Sequence, residues 1–476
     1  MAETSLKKQT FNGVIWRVLE VGGTHTIQLV IGIVLARLIM PEQFAAIAML
    51  SIFFAVASQF INSGFSTALM RKDNRTQVDC STVFYFNIVI SIVSYLILYA
   101  IAPLVANFYN LPELKPILRV SSITLVIGSL AGVHRTLFFA RMDFKSLTKY
   151  NIAALIISGC VGMYMAYKGF QVWALVTQSI VSSIINTFFI WFASPWRPSW
   201  QFSWVSLKEF FGFGSKLLAS GLLDTVYGNM YSVVIGKFFP HSDLAYYNRA
   251  AGLKNMTSQT PTNVLQSVTF PALCKLQECD ETLRSSYRRM LRVSAFVIFP
   301  MCLGVGSISY PLINVLYTDV WIYAATLLQI IVFSGMWFPI HAINLNLLKV
   351  KGRSDLFFHL EIIKKIIGVV ILVITLPIGL EAMCYGGIVS SILCLIVNTH
   401  YTGKLLNLGF ITQMKDLLPS FALSVTMFVV CKILSTALGN GFFSLFISIL
   451  AGVIIYVGGA ILFRFREFKE LKNIRK

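Results

Sequence analysis

Long apolar segments recur along the whole chain and are separated by short polar gaps. Each segment has about 20 residues or more, enough for a helix to cross roughly 30 Å of hydrocarbon. Fourteen segments are predicted as membrane-spanning helices, at roughly 11–36, 43–69, 80–106, 117–140, 148–167, 172–194, 209–236, 243–271, 290–316, 323–348, 356–376, 382–402, 415–436 and 441–463. The predicted fold class is an all-α polytopic membrane protein with about 14 transmembrane helices.

Lys and Arg are distributed unequally among the gaps. The odd-numbered gaps hold few cations, namely Arg37, Lys115, Arg119, Lys168 and Lys237, whereas both termini and the even-numbered gaps are rich in them. Cations that flank membrane helices are retained on the cytoplasmic side. We therefore predict a multi-pass protein with both termini in the cytoplasm.

Composition supports a chain embedded in a membrane. Of the 476 residues, 56% are hydrophobic and only 12% are charged. The net charge of +19 would suggest nucleic acid as the partner of a soluble chain. Here the cations lie at the predicted cytoplasmic membrane edge, so membrane lipids are the expected partner and nucleic acid is not. The eight cysteines are scattered singly without a metal-ligand spacing, and neither a metal nor a cofactor is predicted.

The chain repeats itself at half length. Residues 34–41 end the first predicted span and residues 235–240 end the seventh, each with a cation and a proline before a short polar turn. The segments that close spans two and eight are separated along the chain by a similar number of residues. These matches predict two parallel six-helix lobes around a central cavity. The predicted domains are an N-lobe, a C-lobe, and two extra helices with a basic cytoplasmic tail, at 1–200, 201–405 and 406–476.

Ionisable side chains inside the spans are costly, at about 2.5–3.5 kcal/mol each on insertion scales, and usually face a polar interior. In the first span Arg17, Glu20, Thr24 and Gln28 share one helical face, with His25 beside them. This pattern predicts a hydrated cavity, although Arg17 and Glu20 could equally form an intrahelical ion pair.

The seventh and eighth spans carry further ionisable residues. Lys216 and Asp224 share a face of the seventh span, and Thr24 corresponds to Asp224 under the repeat offset of about 200 residues. Arg249 and Lys254 lie in the eighth span, where fixed cations would attract a phosphate or pyrophosphate. Asp224 and Glu20 could instead be the counter-ions of these cations.

Several segments are similar to a known family. They are residues 35–44 and 64–69, Trp173-Ala174-Leu175-Val176, and the run from Gly236 to Leu273. They resemble the polysaccharide-transporter family, the flippases of lipid-linked oligosaccharides in bacterial lipopolysaccharide, O-antigen and exopolysaccharide pathways. That family shares a superfamily with multidrug and toxin extruders and the lipid II flippase. The resemblance covers nearly the whole chain, and its motifs are mostly patterns at helix ends.

The resemblance implies a transporter of the bacterial inner membrane, not an enzyme. Its substrate would be an undecaprenyl-pyrophosphate-linked oligosaccharide, moved by alternating access with a proton or sodium gradient. Matched by span and depth, Arg17, Arg249 and Lys254 would bind pyrophosphate, and Asp224 and Glu20 would couple ions. The further cavity candidates are Thr24, His25, Gln28, Lys216, Arg135 and Lys364. Other polysaccharide-assembly proteins are further candidate partners.

The sequence leaves two alternative functions open. A multidrug or metabolite cation antiporter of the same superfamily would need a smaller, more apolar and more anionic cavity. A membrane polysaccharide polymerase or ligase would need an outward loop with an acid–base set, and every predicted outward gap is short. The excess of candidate cavity cations favours the flippase.

The predicted topology can be tested by cysteine labelling in a background without native cysteines. Asn110→Cys, Lys168→Cys and Asp319→Cys should react with a membrane-impermeant reagent added outside the cell, because they lie in odd-numbered gaps. Lys145→Cys, Ser206→Cys and Lys351→Cys should react only after the membrane is permeabilised. The opposite labelling pattern would invert the predicted orientation.

Overall fold

The computed structural model is helical throughout the part of the chain that it describes, which is residues 22–62, 65–72, 75–141, 143–274, 276–468 and 470. Its contacts divide the chain into two compact units, 1–245 and 246–476. No strand occurs among these described residues. The prediction of an all-α fold is confirmed.

In the first unit, the described residues before His241 form ten helices. They are α1 (Gly22–Leu38), α2 (Pro41–Asn62), α3 (Phe65–Arg71), α4 (Gln77–Tyr109), α5 (Leu114–Ser121), α6 (Ile123–Ser129), α7 (Gly132–Ala140), α8 (Phe144–Tyr167), α9 (Val172–Ala193) and α10 (Trp204–Phe238). Helix α10, the predicted seventh span, packs against α2, α3 and α4. The contact boundary therefore falls one helix later than the boundary of the sequence repeat.

The second unit begins within α11. Its helices are α11 (His241–Thr257), α12 (Gln259–Cys274), α13 (Asp280–Ser307), α14 (Ser309–Tyr317), a 3-10 turn (Asp319–Trp321), α15 (Ile322–Gly335), α16 (Phe338–Val350), α17 (Ser354–Thr375), α18 (Leu380–Leu406), α19 (Phe410–Leu438) and α20 (Phe442–Leu462). Helices α13 and α19 pack closely, and the Arg288 guanidinium holds both carboxylate oxygens of Asp416 at 2.6 Å.

Polar residues at the gaps start and stop these helices. Thr76 and Asp79 form a capping box at the start of α4: the Asp79 N–H donates to Thr76 Oγ1 at 3.1 Å, and the Thr76 N–H donates to Asp79 Oδ2 at 3.0 Å. The Asp143 side chain caps α8 in a similar way. Asn110 and Asn407 end α4 and α18 with φ at 55°, a left-handed conformation that asparagine tolerates. These gaps are therefore helix boundaries. The prediction of continuous helices is wrong for four spans, 117–140, 243–271, 290–316 and 323–348, each of which is divided into two or three helices.

Membrane-spanning character is clear for most of the helices. Within the described residues nine helical segments are long and apolar enough to cross a membrane, and the pair Leu114–Ser129 and Gly132–Ala140, bent by 43°, would make a tenth. The shorter α1 is apolar over Gly22–Leu38. Helices α10, α11, α12 and α17 carry more polar or charged residues. The number of fourteen crossings and the two-lobe arrangement remain predictions.

A buried polar network joins α16, α18 and α19 in the second unit. The Gln413 amide nitrogen donates to Thr402 Oγ1 at 3.0 Å and to the Leu408 carbonyl at 2.9 Å, and Gln413 Oε1 accepts from Asn344 Nδ2 at 3.0 Å. Gln413, Asn344 and Thr402 are at most 1% exposed. Because each amide finds partners inside the protein, the network stabilises the packing of these helices.

Gln413→Leu should destabilise the second unit, because it leaves the Asn344 amide short of one partner and removes a donor from the Leu408 carbonyl. The expected loss is about 1–3 kcal/mol. Thermal unfolding of the detergent-solubilised protein should show a lower midpoint. Gln201→Leu, which changes an exposed glutamine in a loop, is the matched control. Equal midpoints for the two variants would contradict a stabilising role for the network.

Candidate functional site

A polar cavity of about 650 Å³ lies within the first unit. It is lined by α1, α7, α8 and α9, and all of its lining residues but one are polar. The lining residues are Thr24, His25, Gln28, Arg135, Asn151, Leu155, Ser158, Gln178, Ser179, Ser182, Ser183 and Asn186. Such a concentration of polar side chains among apolar helices marks a binding site or a water-filled path.

Helical spacing explains how the cavity is formed. The five residues from α9 lie at positions i, i+1, i+4, i+5 and i+8, which is one face of a helix. Asn151, Leu155 and Ser158 similarly share a face of α8. Helix α1 approaches α8 closely at Gly159, where a methyl group would come within 2.3 Å of Ile31 Cδ1. This close approach brings the polar face of α1 to the cavity.

A directional chain of hydrogen bonds runs along one wall of the cavity. The Arg135 guanidinium donates to Asn186 Oδ1, and Asn186 Nδ2 donates to Asn151 Oδ1 at 2.6 Å. Both ends of the Asn186 amide are therefore engaged. No carboxylate lines the cavity among the described residues. Arg135 is the lining residue that carries a fixed charge.

Four residues predicted as cavity candidates thus meet in one place: Thr24, His25, Gln28 and Arg135. The Thr24 hydroxyl is buried and has no hydrogen-bond partner among the described residues. Arg17 and Glu20 lie outside the described residues. The Lys216 side chain is also outside what the structure describes, although its backbone belongs to α10. Asp224 lies on α10 with an exposed side chain.

Lys254 lies inside the second unit. Its aliphatic stem packs on Gly335, where a methyl group would come within 2.8 Å of the lysine Cγ. Its side chain lies near the thiols of Cys302 and Cys384. Lys254 makes no ion pair with any described residue. A membrane-embedded ammonium in this setting requires water or an anionic partner.

Arg249, five residues before Lys254 on α11, lies against aromatic rings. Its guanidinium carbon is 4.9 Å from the centre of the Tyr317 ring and 5.1 Å from that of Trp321. Tyr317 also hydrogen-bonds to it. Tyr317 and Trp321 are each 1% exposed. Cation–π contacts of this kind stabilise a partly desolvated guanidinium, so Arg249 has a structural role whether or not it also binds an anion.

Lys364 belongs to a different polar cluster, in the second unit. It forms an ion pair with Glu361 on the same face of α17, at the i, i+3 spacing. His341 lies nearby, where its Nε2 hydrogen-bonds to Ser391 Oγ at 3.1 Å and its Nδ1 to Asn398 Nδ2 at 3.0 Å. Lys364 is not among the residues that line the cavity of the first unit.

The uncharged residues of α8 and α9 that line the cavity were not predicted from the sequence. Asn151, Ser158 and the polar residues of α9 carry no charge, so they did not stand out among the ionisable groups. The periodicity of Gln178, Ser179, Ser182, Ser183 and Asn186 was the available signal. No group of three His, Cys, Asp or Glu side chains within the described part of the chain could hold a metal ion.

The fold is that of a helical membrane protein, and sequence comparison identifies the family. Residues 34–326 match the model of a family described as polysaccharide biosynthesis protein. This segment exceeds half of the chain, and the chain belongs to that family. The resemblance to polysaccharide transporters that the helix-end motifs indicated is confirmed.

Individual relatives carry related names. The teichuronic acid biosynthesis protein TuaB of Bacillus subtilis is 24% identical over 75% of this chain and 74% of its own length. The lipopolysaccharide biosynthesis protein WzxC of Escherichia coli is 22% identical over 83% of this chain and 80% of its own length. The succinoglycan biosynthesis transport protein ExoT of Rhizobium meliloti is 23% identical over 77% and 74%, respectively.

Solved structures show the same fold at low identity. A structure of the lipid II flippase MurJ in an inward closed conformation matches 95% of this chain and 99% of its own, with a TM-score of 0.76 and 15% identity. An inward-facing multidrug resistance transporter of the MATE family and MOP superfamily matches 81% of this chain and 94% of its own, with a TM-score of 0.64 and 16% identity.

Proposed function

We propose that this protein is a flippase that moves lipid-linked oligosaccharides across the bacterial cytoplasmic membrane for surface polysaccharide biosynthesis. The family match, the names of TuaB, ExoT and WzxC, and the fold shared with MurJ support this function. The observation that carries it is the polar cavity of about 650 Å³ inside a bundle of apolar helices.

The physical problem of this transport explains the arrangement. An oligosaccharide head group loses many hydrogen bonds to water if it enters hydrocarbon, whereas a polyprenyl tail is stable there. A polar cavity flanked by apolar helices supplies hydrogen bonds to the head while the tail stays in lipid. The proposed carrier is undecaprenyl pyrophosphate, and the proposed motion is alternating access between two six-helix lobes, driven by a proton or sodium gradient.

The proposed pyrophosphate-binding residues are Arg17, Arg249 and Lys254, and the proposed ion-coupling residues are Asp224 and Glu20. For Lys254 the support is its position in the interior of the second unit without a carboxylate partner among the described residues. For Asp224 it is an exposed carboxylate on α10 at the depth equivalent to Thr24.

The proposal also covers the orientation of the protein in the membrane, its role as a transporter, and its partners. We place both termini in the cytoplasm on the distribution of Lys and Arg. The protein acts as a transporter and not as an enzyme, in agreement with the transport named for ExoT and the flippase named for MurJ. Other polysaccharide-assembly proteins are proposed as partners.

Deletion and complementation test the function. The deletion strain should accumulate intact lipid-linked repeat units on the cytoplasmic leaflet and lose the surface polymer, and the wild-type gene should reverse both changes. Leaflet position is measured by the accessibility of the glycan to an external lectin or oxidant. Unchanged polysaccharide would favour the antiporter, and short units displayed outside without polymerisation would favour the polymerase.

Asp224→Asn and Lys254→Ala should each abolish export while the protein remains inserted and folded, because each removes a charge proposed for coupling or for pyrophosphate binding. Surface polysaccharide in the complemented deletion strain is the measurement. Asp319→Asn and Lys115→Ala change exposed residues of the same types in the gaps and serve as matched controls. Normal surface polysaccharide with both Asp224→Asn and Lys254→Ala would overturn the proposed roles of these two residues.

A further inference from the structure

The hydrogen bonds within the cavity of the first unit determine what kind of ligand it can accept. Three serine hydroxyls already donate to backbone carbonyls: Ser179 to Leu175 at 3.0 Å, Ser158 to Leu155 at 3.2 Å, and Ser183 to Thr124 at 3.3 Å. Their oxygens therefore offer lone pairs, and not protons, to a molecule in the cavity. This wall of the cavity is rich in acceptors.

An acceptor-rich wall is poorly suited to a phosphate. A pyrophosphate presents only acceptor oxygens and negative charge, so it needs clustered cations or N–H donors. Sugar rings instead carry several hydroxyls, each of which donates one hydrogen bond and accepts others. The cavity combines serine oxygens with the amides of Gln28, Gln178 and Asn151, which matches a polyhydroxylated ligand.

Arg135 supplies the charged donor of this site. Its guanidinium has five N–H donors in a planar arrangement, and one of them is committed to Asn186. Because Asn186 also donates to Asn151, its amide cannot flip without losing a bond at each end. Asn186 is therefore a positioning residue that holds the guanidinium at the wall formed by α9.

We propose that this cavity is a saccharide-binding subsite that recognises sugar rings of the head group through Arg135, the amides and the serine oxygens. Arg249 and Lys254, which are proposed to bind the pyrophosphate, are not among the residues that line it. Its volume of about 650 Å³ is within the range of roughly 300–1,000 Å³ that small-molecule pockets occupy, enough for part of an oligosaccharide. This subsite deepens the proposed flippase function and rests on it.

The test uses the full-length protein in lipid nanodiscs and two probes measured by calorimetric titration. One probe is the free oligosaccharide released by mild acid from the lipid-linked material of the deletion strain. The other is undecaprenyl pyrophosphate without sugar. Asn186→Leu should weaken binding of the free oligosaccharide about 10-fold or more, because it releases Arg135 and removes two hydrogen bonds. Binding of the sugar-free lipid should change less than about twofold.

Two further variants protect the test against misfolding. Ser182→Ala removes only a hydroxyl from the cavity wall and should weaken the oligosaccharide selectively, by about three- to tenfold. Thr187→Val is the matched control. Thr187 directly follows Asn186 on α9 and is 8% exposed, and its hydroxyl donates to the Ile127 carbonyl at 3.1 Å instead of lining the cavity. It should leave the affinity for both probes unchanged.

The outcomes separate this inference from the function on which it rests. Failure of the wild-type gene to restore export would overturn the flippase and the subsite together. If export is restored, two results would overturn the subsite alone. One is that Asn186→Leu and Ser182→Ala weaken the binding of both probes equally, and the other is that neither variant changes the affinity for the oligosaccharide. Selective loss of oligosaccharide binding in both variants, with Thr187→Val unchanged, would support the subsite.

Discussion

Hydrocarbon offers no hydrogen-bonding partner, and this constraint governs the arrangement of every polar group in the spans. Backbone groups are satisfied within the helices. Polar side chains at depth must find partners in the protein, in water or in a ligand. They are accordingly gathered into a few clusters, while the aliphatic and aromatic positions form the remaining surface of each helix.

The clusters differ in how completely their hydrogen-bonding capacity is used. In the network of Asn344, Thr402 and Gln413, every amide has internal partners and exposure is at most 1%, so the cluster holds helices together. The cavity beside Arg135 is open, its serine oxygens keep acceptor capacity, and the Arg135 guanidinium makes one hydrogen bond, to Asn186, among the described residues. A saturated cluster stabilises a structure, whereas an unsaturated one is suited to bind a polar molecule.

Charge and neutral polarity contribute differently to the candidate site. The ionisable residues of α10 and α11 were conspicuous in the sequence because each charge in a membrane is costly. Yet Arg249 lies against Tyr317 and Trp321, and Lys364 pairs with Glu361. The polar cavity of the first unit is instead lined mainly by neutral serines and amides, each of them unremarkable in an apolar segment. These neutral residues matter because they lie together in one cavity, and not because each is costly to place in a membrane.

The sequence by itself determined the helical membrane class, the helix ends at the polar gaps and the family, because hydrophobic length, capping residues and helix-end motifs are local properties. The breaks within the predicted spans were not read from it. It also placed Thr24, Gln28 and Arg135 among the cavity candidates. Only the tertiary structure decided that α1, α7, α8 and α9 bring these residues together with Asn151 and Asn186, and that Lys364 lies elsewhere. The physical reason is that a cavity is formed by faces of helices distant in sequence. Those faces meet through close packing such as that at Gly159, which no single helix encodes.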